Sequence, residues 1–207
     1  MRRCPRKGRL AVVEEEGPAV SDVLEQLHQD HLNMSRLLGL LARQLDRFHR
    51  ARQTDYALML DIMHYMLHYP DLFHHPREDL VCQRLMLRHP ESSGLVARLL
   101  DEHRQLHKEG HRFHESLRDV VNDQFMRRET IEEQGRAYIA RQGDHMSLEE
   151  TKVFPLAREH LTREDWDWVA EQVAHREDPL FGHTVLDEYR NLYQFMTTDS
   201  PLEHHGH

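Results

Sequence analysis

Cysteine is nearly absent: Cys4 and Cys82 are the only two in 207 residues. Two thiols cannot build a disulfide framework, and their scarcity points to a reducing, cytoplasmic setting. Long apolar runs are missing too, none approaching the 18 or more residues of a membrane span. The basic start MRRCPRKGRL leads into VVEEEGP and not into an apolar stretch with a cleavage site, so no secretory leader is expected. Basic residues are outnumbered, 27 against 36 acidic ones, and the formal charge of -9 speaks against a nucleic-acid groove. No segment alternates as a strand does, and no hairpin turn is evident.

What is present is helical periodicity and histidine. With 39% hydrophobic and 30% charged residues, the chain reads as a polar-surfaced globular protein able to bury a core without staples. Residues 1–20 read as a flexible arm ending near Gly17-Pro18. From Ser21, the spacing of Leu27, Met34, Leu37, Leu41 and Leu45 predicts a helix to about Arg50. A second starts after Thr54-Asp55; Pro70 is expected to interrupt it, with a continuation from about Asp71 to Leu87. After the turn signals around Pro90 and Gly94, a third spans about Leu95–Phe125, and a fourth runs from near Glu129 to near His160. Thr162-Arg163-Glu164-Asp165 signals a cap for a shorter helix with Trp166 and Val169, and Val185–Phe195 suits a last one. Four long helices with short connections predict an all-α, antiparallel four-helix bundle over residues 21–160. Residues 161–200 are expected to form a helical extension packed on it, and 201–207 a disordered tail.

Histidine numbers 19. Six of these residues have a carboxylate four positions on, where a helix places both on one face, but chance alone gives roughly three such pairs. Repetition makes the stronger case. LEQLHQDHLNMSRLL (24–38) overlays VARLLDEHRQLHKEG (96–110), so that His31 meets His103 and Asp30 meets Glu102. HHPREDLVCQRL (74–85) overlays HMSLEETKVFPL (145–156), matching His74 to His145, Glu78 to Glu149 and Asp79 to Glu150. The offsets are 72 and 71, so two helix pairs repeat the same ligand types. Such a set suits two metals side by side, each holding two histidines, with Glu78 and Glu149 bridging both. Imidazole with carboxylate and no thiolate suits iron or manganese, and zinc fits too.

The series His31, HHPRED, DEHRQLH and HMSLEE, spanning about residues 21–160, resembles the hemerythrin-like, HHE cation-binding family. The resemblance implies a four-helix bundle with a non-haem di-iron centre held by His31, His74, Glu78, His103, His145 and Glu149. It offers two candidates for an additional ligand. His107 completes the His-x-x-x-His of the third helix that oxygen carriers use, while His75 matches an extra glutamate ligand in an iron-sensing F-box relative. Two departures set this sequence apart from the oxygen carriers. The fourth helix offers His-x-x-x-Glu where carriers have a histidine followed five residues on by aspartate. Pro76 also sits inside the second ligand motif, where an interior proline costs about 3 kcal/mol unless the helix restarts close by.

The functions implied are sensing or binding of oxygen, peroxide, nitric oxide or iron, without a need for catalysis. A redox enzyme turning over peroxide or nitric oxide is the second reading, and a regulatory or adaptor bundle with structural or no metal the third. A small diatomic or peroxide ligand is expected; nucleic acid and membrane are not, and a homodimer or protein partner would use the C-terminal extension. Asp30, Glu102, Asp144 and Tyr138 are candidates for orienting imidazoles or donating to bound oxygen. Cys82, between Val81 and Leu85, reads as a buried small hydrophobe. Met59, Met63 and Met66 read as core, and His160 as outside the metal set.

Overall fold

The computed structural model describes residues 20–50, 53–172 and 177–198. The expected N-terminal arm, apart from its last residue, and the C-terminal tail lie outside these residues. No strand occurs among the described residues. No helix there is long and apolar enough to cross a membrane.

Four rods form the bundle. The first is α1 (Val20–His49). The second is α2 (Tyr56–Tyr69), a π-helical turn (Pro70–His74) and α3 (His75–Arg88). The third is α4 (Ser93–Val121). The fourth is α5 (Arg128–Leu148), a second π-helical turn (Glu149–Val153) and α6 (Phe154–His160). Rod one packs on the second and fourth, and α4 packs on the same two from the other side. At Gly135 the rods approach so closely that a Cβ would sit 2.8 Å from both Leu45 and Phe113.

Asp55 starts α2 as the sequence suggests, its carboxylate accepting from the Leu58 N–H at 2.9 Å. Pro70 does not interrupt the second rod; the helix widens there and runs on. The His75 N–H reaches back five residues to the Pro70 carbonyl, and the Phe154 N–H does the same to Glu149. Each widened turn ends two residues before a proline, Pro76 or Pro155. A proline ring clashes with the carbonyl four residues back and leaves it without a donor, and a wider turn moves that carbonyl aside. The extra residue also resets the helix face. Ile62 and Met66 continue at α-helical pitch to positions 73 and 77; with one residue added, His74 and Glu78 face inward instead.

The interior is two apolar clusters separated by a polar layer. One holds Leu27, Val81, Leu85, Leu99 and Val153; the other holds Met34, Leu41, Met63, Leu106 and Tyr138. On every rod the proposed ligands fall between the two sets. Cys82 is buried in the first cluster, and burial pushes its thiol up, in keeping with an inert packing role. Met59, Met63 and Met66 are all core.

Beyond the bundle, α7 (Arg163–Gln172) lays Trp166 and Val169 on the first cluster. A turn through Leu180 leads to α8 (Arg190–Thr198), where Leu192 joins the second. The expected cap of α7 is present: the Thr162 N–H and hydroxyl donate to Asp165 at 3.0 and 2.9 Å. Asp165 also accepts from Arg88 Nε at 2.7 Å, tying α7 to α3. Burial raises the Asp165 carboxyl, but Arg88 and Thr162 outweigh it and hold it below the usual range. Asp165→Ala is expected to lower stability by about 1–2 kcal/mol in chemical denaturation. Because the folded value is depressed, that contribution is complete above the ordinary aspartate value of about 3.9 and fades as pH falls through the folded one. The gap between wild type and variant should therefore close in acid.

Candidate metal centre

His31, on α1 between Leu27 and Met34, enters the polar layer one turn from each apolar cluster. Rod two adds His74 and Glu78, α4 adds His103, and rod four adds His145 and Glu149. The structure brings all six together. Glu78 is 1% exposed and Glu149 is 0% exposed, so neither carboxylate is open to bulk water.

Their contacts fall into two sets. Glu78 directs Oε1 at His31 Nε2 and His74 Nε2, at 3.4 and 3.0 Å, and Oε2 at His103 Nε2, at 3.5 Å. Glu149 directs Oε2 at His31 Nε2, at 3.2 Å, and Oε1 at His145 and His103 Nε2, at 3.3 and 3.7 Å. The Nε2 atoms of His31 and His74 lie 3.1 Å apart. Each carboxylate thus shares its two oxygens between a His31/His74 pair and a His103/His145 pair. Ligand atoms held about 2.1 Å from one ion lie roughly 3.0–3.5 Å from each other, which matches these spacings.

The two candidates for an additional position part company. His75 is buried, stacks on His103 at 4.2 Å between ring centroids, and keeps a buried Nε2 without a hydrogen-bond partner. One ligand atom from each of His75, Glu78, His103 and His145 lies within 4.8 Å of the others. His107 is exposed and stands apart, with Nδ1 2.6 Å from Asp71. His160 stacks on His89 near the end of α6, well away from the polar layer.

Every inward imidazole has a carboxylate on its other nitrogen. Asp30 holds His74 Nδ1 at 3.0 Å, and Glu102 holds His145 Nδ1 at 3.3 Å. Asp79 faces His103 Nδ1 at 3.3 Å, and Glu150 faces His31 Nδ1 at 2.8 Å. The pattern follows the sequence repeat. The acid before each first-helix histidine orients the second-helix histidine of its own half; the acid after each glutamate orients the first-helix histidine of the other half. Asp71, 3.1 Å from His75 Nδ1, has no acidic counterpart, since the offset of 71 leads to Gln142. Such anchors fix the tautomer and aim Nε2 at a metal.

Sequence reasoning singled out Asp30 and Glu102 for this work but not Asp71, Asp79 or Glu150, although the repeat pairs Asp79 with Glu150. Asp144 and Tyr138 make no hydrogen bond to these imidazoles: Asp144 is exposed, and Tyr138 packs in the core beside Gly110.

A family model of the hemerythrin HHE cation-binding domain matches residues 22–157. The chain belongs to this family. The matched span holds all four rods but for the first two residues of α1 and the last three of α6, and every residue of the polar layer. Searches of curated proteins and of solved structures gave no match. A hemerythrin HHE domain binds metal cations, and the residues here suit that task. All four oxygens of Glu78 and Glu149, with Nε2 of His75, His103 and His145, are buried without hydrogen-bond partners. Leaving such groups uncompensated costs several kcal/mol each, and cations at the shared foci would satisfy them together. Seven carboxylates surround five imidazoles in this hemerythrin domain, an excess of negative charge that suits bound cations.

Proton affinities express the same field. Burial disfavours charge on His31, but Glu149, Glu150 and Glu78 outweigh it and push the imidazole up to about 12. His103 is likewise carried to about 11 against burial by Asp79, Glu149 and Glu78. His74 rises to about 9 against burial through Glu78 and Asp30. Burial lowers His75, which Asp71 only partly offsets.

Proposed function

We propose that the centre holds two iron ions bridged by Glu78 and Glu149, and that the protein senses or binds oxygen, peroxide, nitric oxide or iron itself. The observation that carries this reading is the division of each glutamate's two oxygens between two histidine pairs. His31 and His74 would hold one ion and His103 and His145 the other, with His75 as the additional ligand. Manganese and zinc suit the same donors. A bound iron pair supplies reversible one-electron chemistry and a Lewis-acidic position for a small ligand.

This chain's own residues set the conditions. Glu78 and Glu149 would hold both ions in place across a change of valence, and the five orienting acids keep Nε2 of each imidazole directed inward. The His31/His74 side offers two histidines against three on the other, which leaves it the less crowded place for an incoming ligand. Stacking of Phe154 on His31, at 5.5 Å and 5° between planes, shields that side from bulk water. A reducing cytoplasm fits the free Cys82 thiol.

The test is metal content and the optical spectrum of protein purified without a histidine-affinity step, reduced and then opened to air. About two irons per chain, with near-ultraviolet bands growing on oxidation, is the expected result. His75→Ala should weaken retention of one iron, and His107→Ala should leave iron content unchanged. Loss of iron from His107→Ala with none from His75→Ala would reverse the ligand assignment.

A further inference from the structure

The widened turn before His74 points Asp71 across to α4, where two histidines sit one helical turn apart. His107 and His111 are both exposed, with ring centroids 4.4 Å apart. Asp71 Oδ2 lies 2.6 Å from His107 Nδ1. One ligand atom from each of the three residues lies within 4.8 Å of the others. A tetrahedral ion holds its ligand atoms roughly 3.4 Å apart, and rotation of two solvent-facing imidazoles covers the difference. Two imidazoles and one carboxylate leave a fourth position to water, the donor set of an open zinc-type site. His111 makes no hydrogen bond among the described residues, so a simple histidine–aspartate pair leaves it unexplained.

We infer that Asp71, His107 and His111 form a third, solvent-facing site for a borderline divalent cation such as zinc or cobalt, where cations enter the domain. The location carries the second half of this statement. Asp71 and His107 stand on the wall of a surface cleft whose lining also includes His75, Asp79 and His103. His75 and His103 turn their other ring nitrogens toward the buried centre, and the second oxygen of Asp71 lies 3.1 Å from His75 Nδ1. A cation bound at the rim is one carboxylate away from the inner ligands. The entry role rests on the two-metal reading above; binding at the rim does not.

The experiment is a zinc titration of the metal-free full chain by calorimetry, with zinc counted after dialysis, in wild type and in His111→Ala. Wild type is expected to take up one equivalent more than the variant. His204, His205 and His207 are present in both proteins, so their contribution cancels. Equal uptake overturns the site, and circular dichroism verifies that the exposed substitution leaves the fold intact. The same comparison in a Glu149→Ala background keeps the one-equivalent difference even if the buried centre holds no pair, so the two readings fail separately. For entry, zinc transfer from a coloured chelator to the buried centre should slow roughly tenfold in His111→Ala, the scale on which a local cation concentration acts. Equal rates overturn the entry role.

Discussion

Glu149→Ala is expected to release both irons, taking content from about two per chain to near zero, and Glu78→Ala to do the same. Glu149 touches His31 through one oxygen and His103 and His145 through the other. Removing it deprives both sets of an anionic ligand and, on the two-iron reading, would leave two divalent ions with a single bridge between them. His145→Ala reaches only one set and should spare part of the metal. The helical fold should survive, because the two apolar clusters that flank the layer do not include Glu149. Metal analysis beside circular dichroism checks this, and clean loss of one ion from each glutamate variant would contradict bridging.

The second large effect is on pH. Neighbouring carboxylates raise the His31, His103 and His74 imidazoles to about 12, 11 and 9, so each holds its proton more tightly than a free histidine does. A metal needs the same nitrogens deprotonated, so binding expels up to three protons. Affinity therefore rises with pH, by up to about a thousandfold per unit near neutrality, and the slope lessens above about 9 once His74 has lost its proton unaided. The sign is fixed by the raised values: protons compete more strongly as pH falls. Calorimetry in two buffers of different ionisation enthalpy counts the protons released, and metal affinity independent of pH between 6 and 8 would contradict the arrangement.

The bundle and its polar layer were legible because chemistry and periodicity repeat. His31 and His103 recur 72 residues apart between apolar neighbours at helical spacing, and His74/Glu78 and His145/Glu149 recur 71 apart. Two features were not. The widened turns at Pro70–His74 and Glu149–Val153 resolve a conflict between prolines and an uninterrupted rod, and periodicity offers no sign of which way such a conflict resolves. A break at Pro70 was the simpler expectation and does not occur. The other feature is the full set of orienting acids. Asp30 and Glu102 work within their own half, but Asp79 and Glu150 reach an imidazole in the other half, a pairing that depends on how the rods meet. That His75 faces inward while His107 faces solvent was not legible either, since both lie at ligand-like positions and only the packing of the rods separates them.

Most direct is the metal–metal distance in iron-loaded protein by X-ray absorption. A bridged pair predicts an iron scatterer about 3.5–4 Å from each iron, lost in Glu149→Ala. Iron surrounded by nitrogen and oxygen with no second iron in that range, at a content of one per chain, would contradict the two-metal centre.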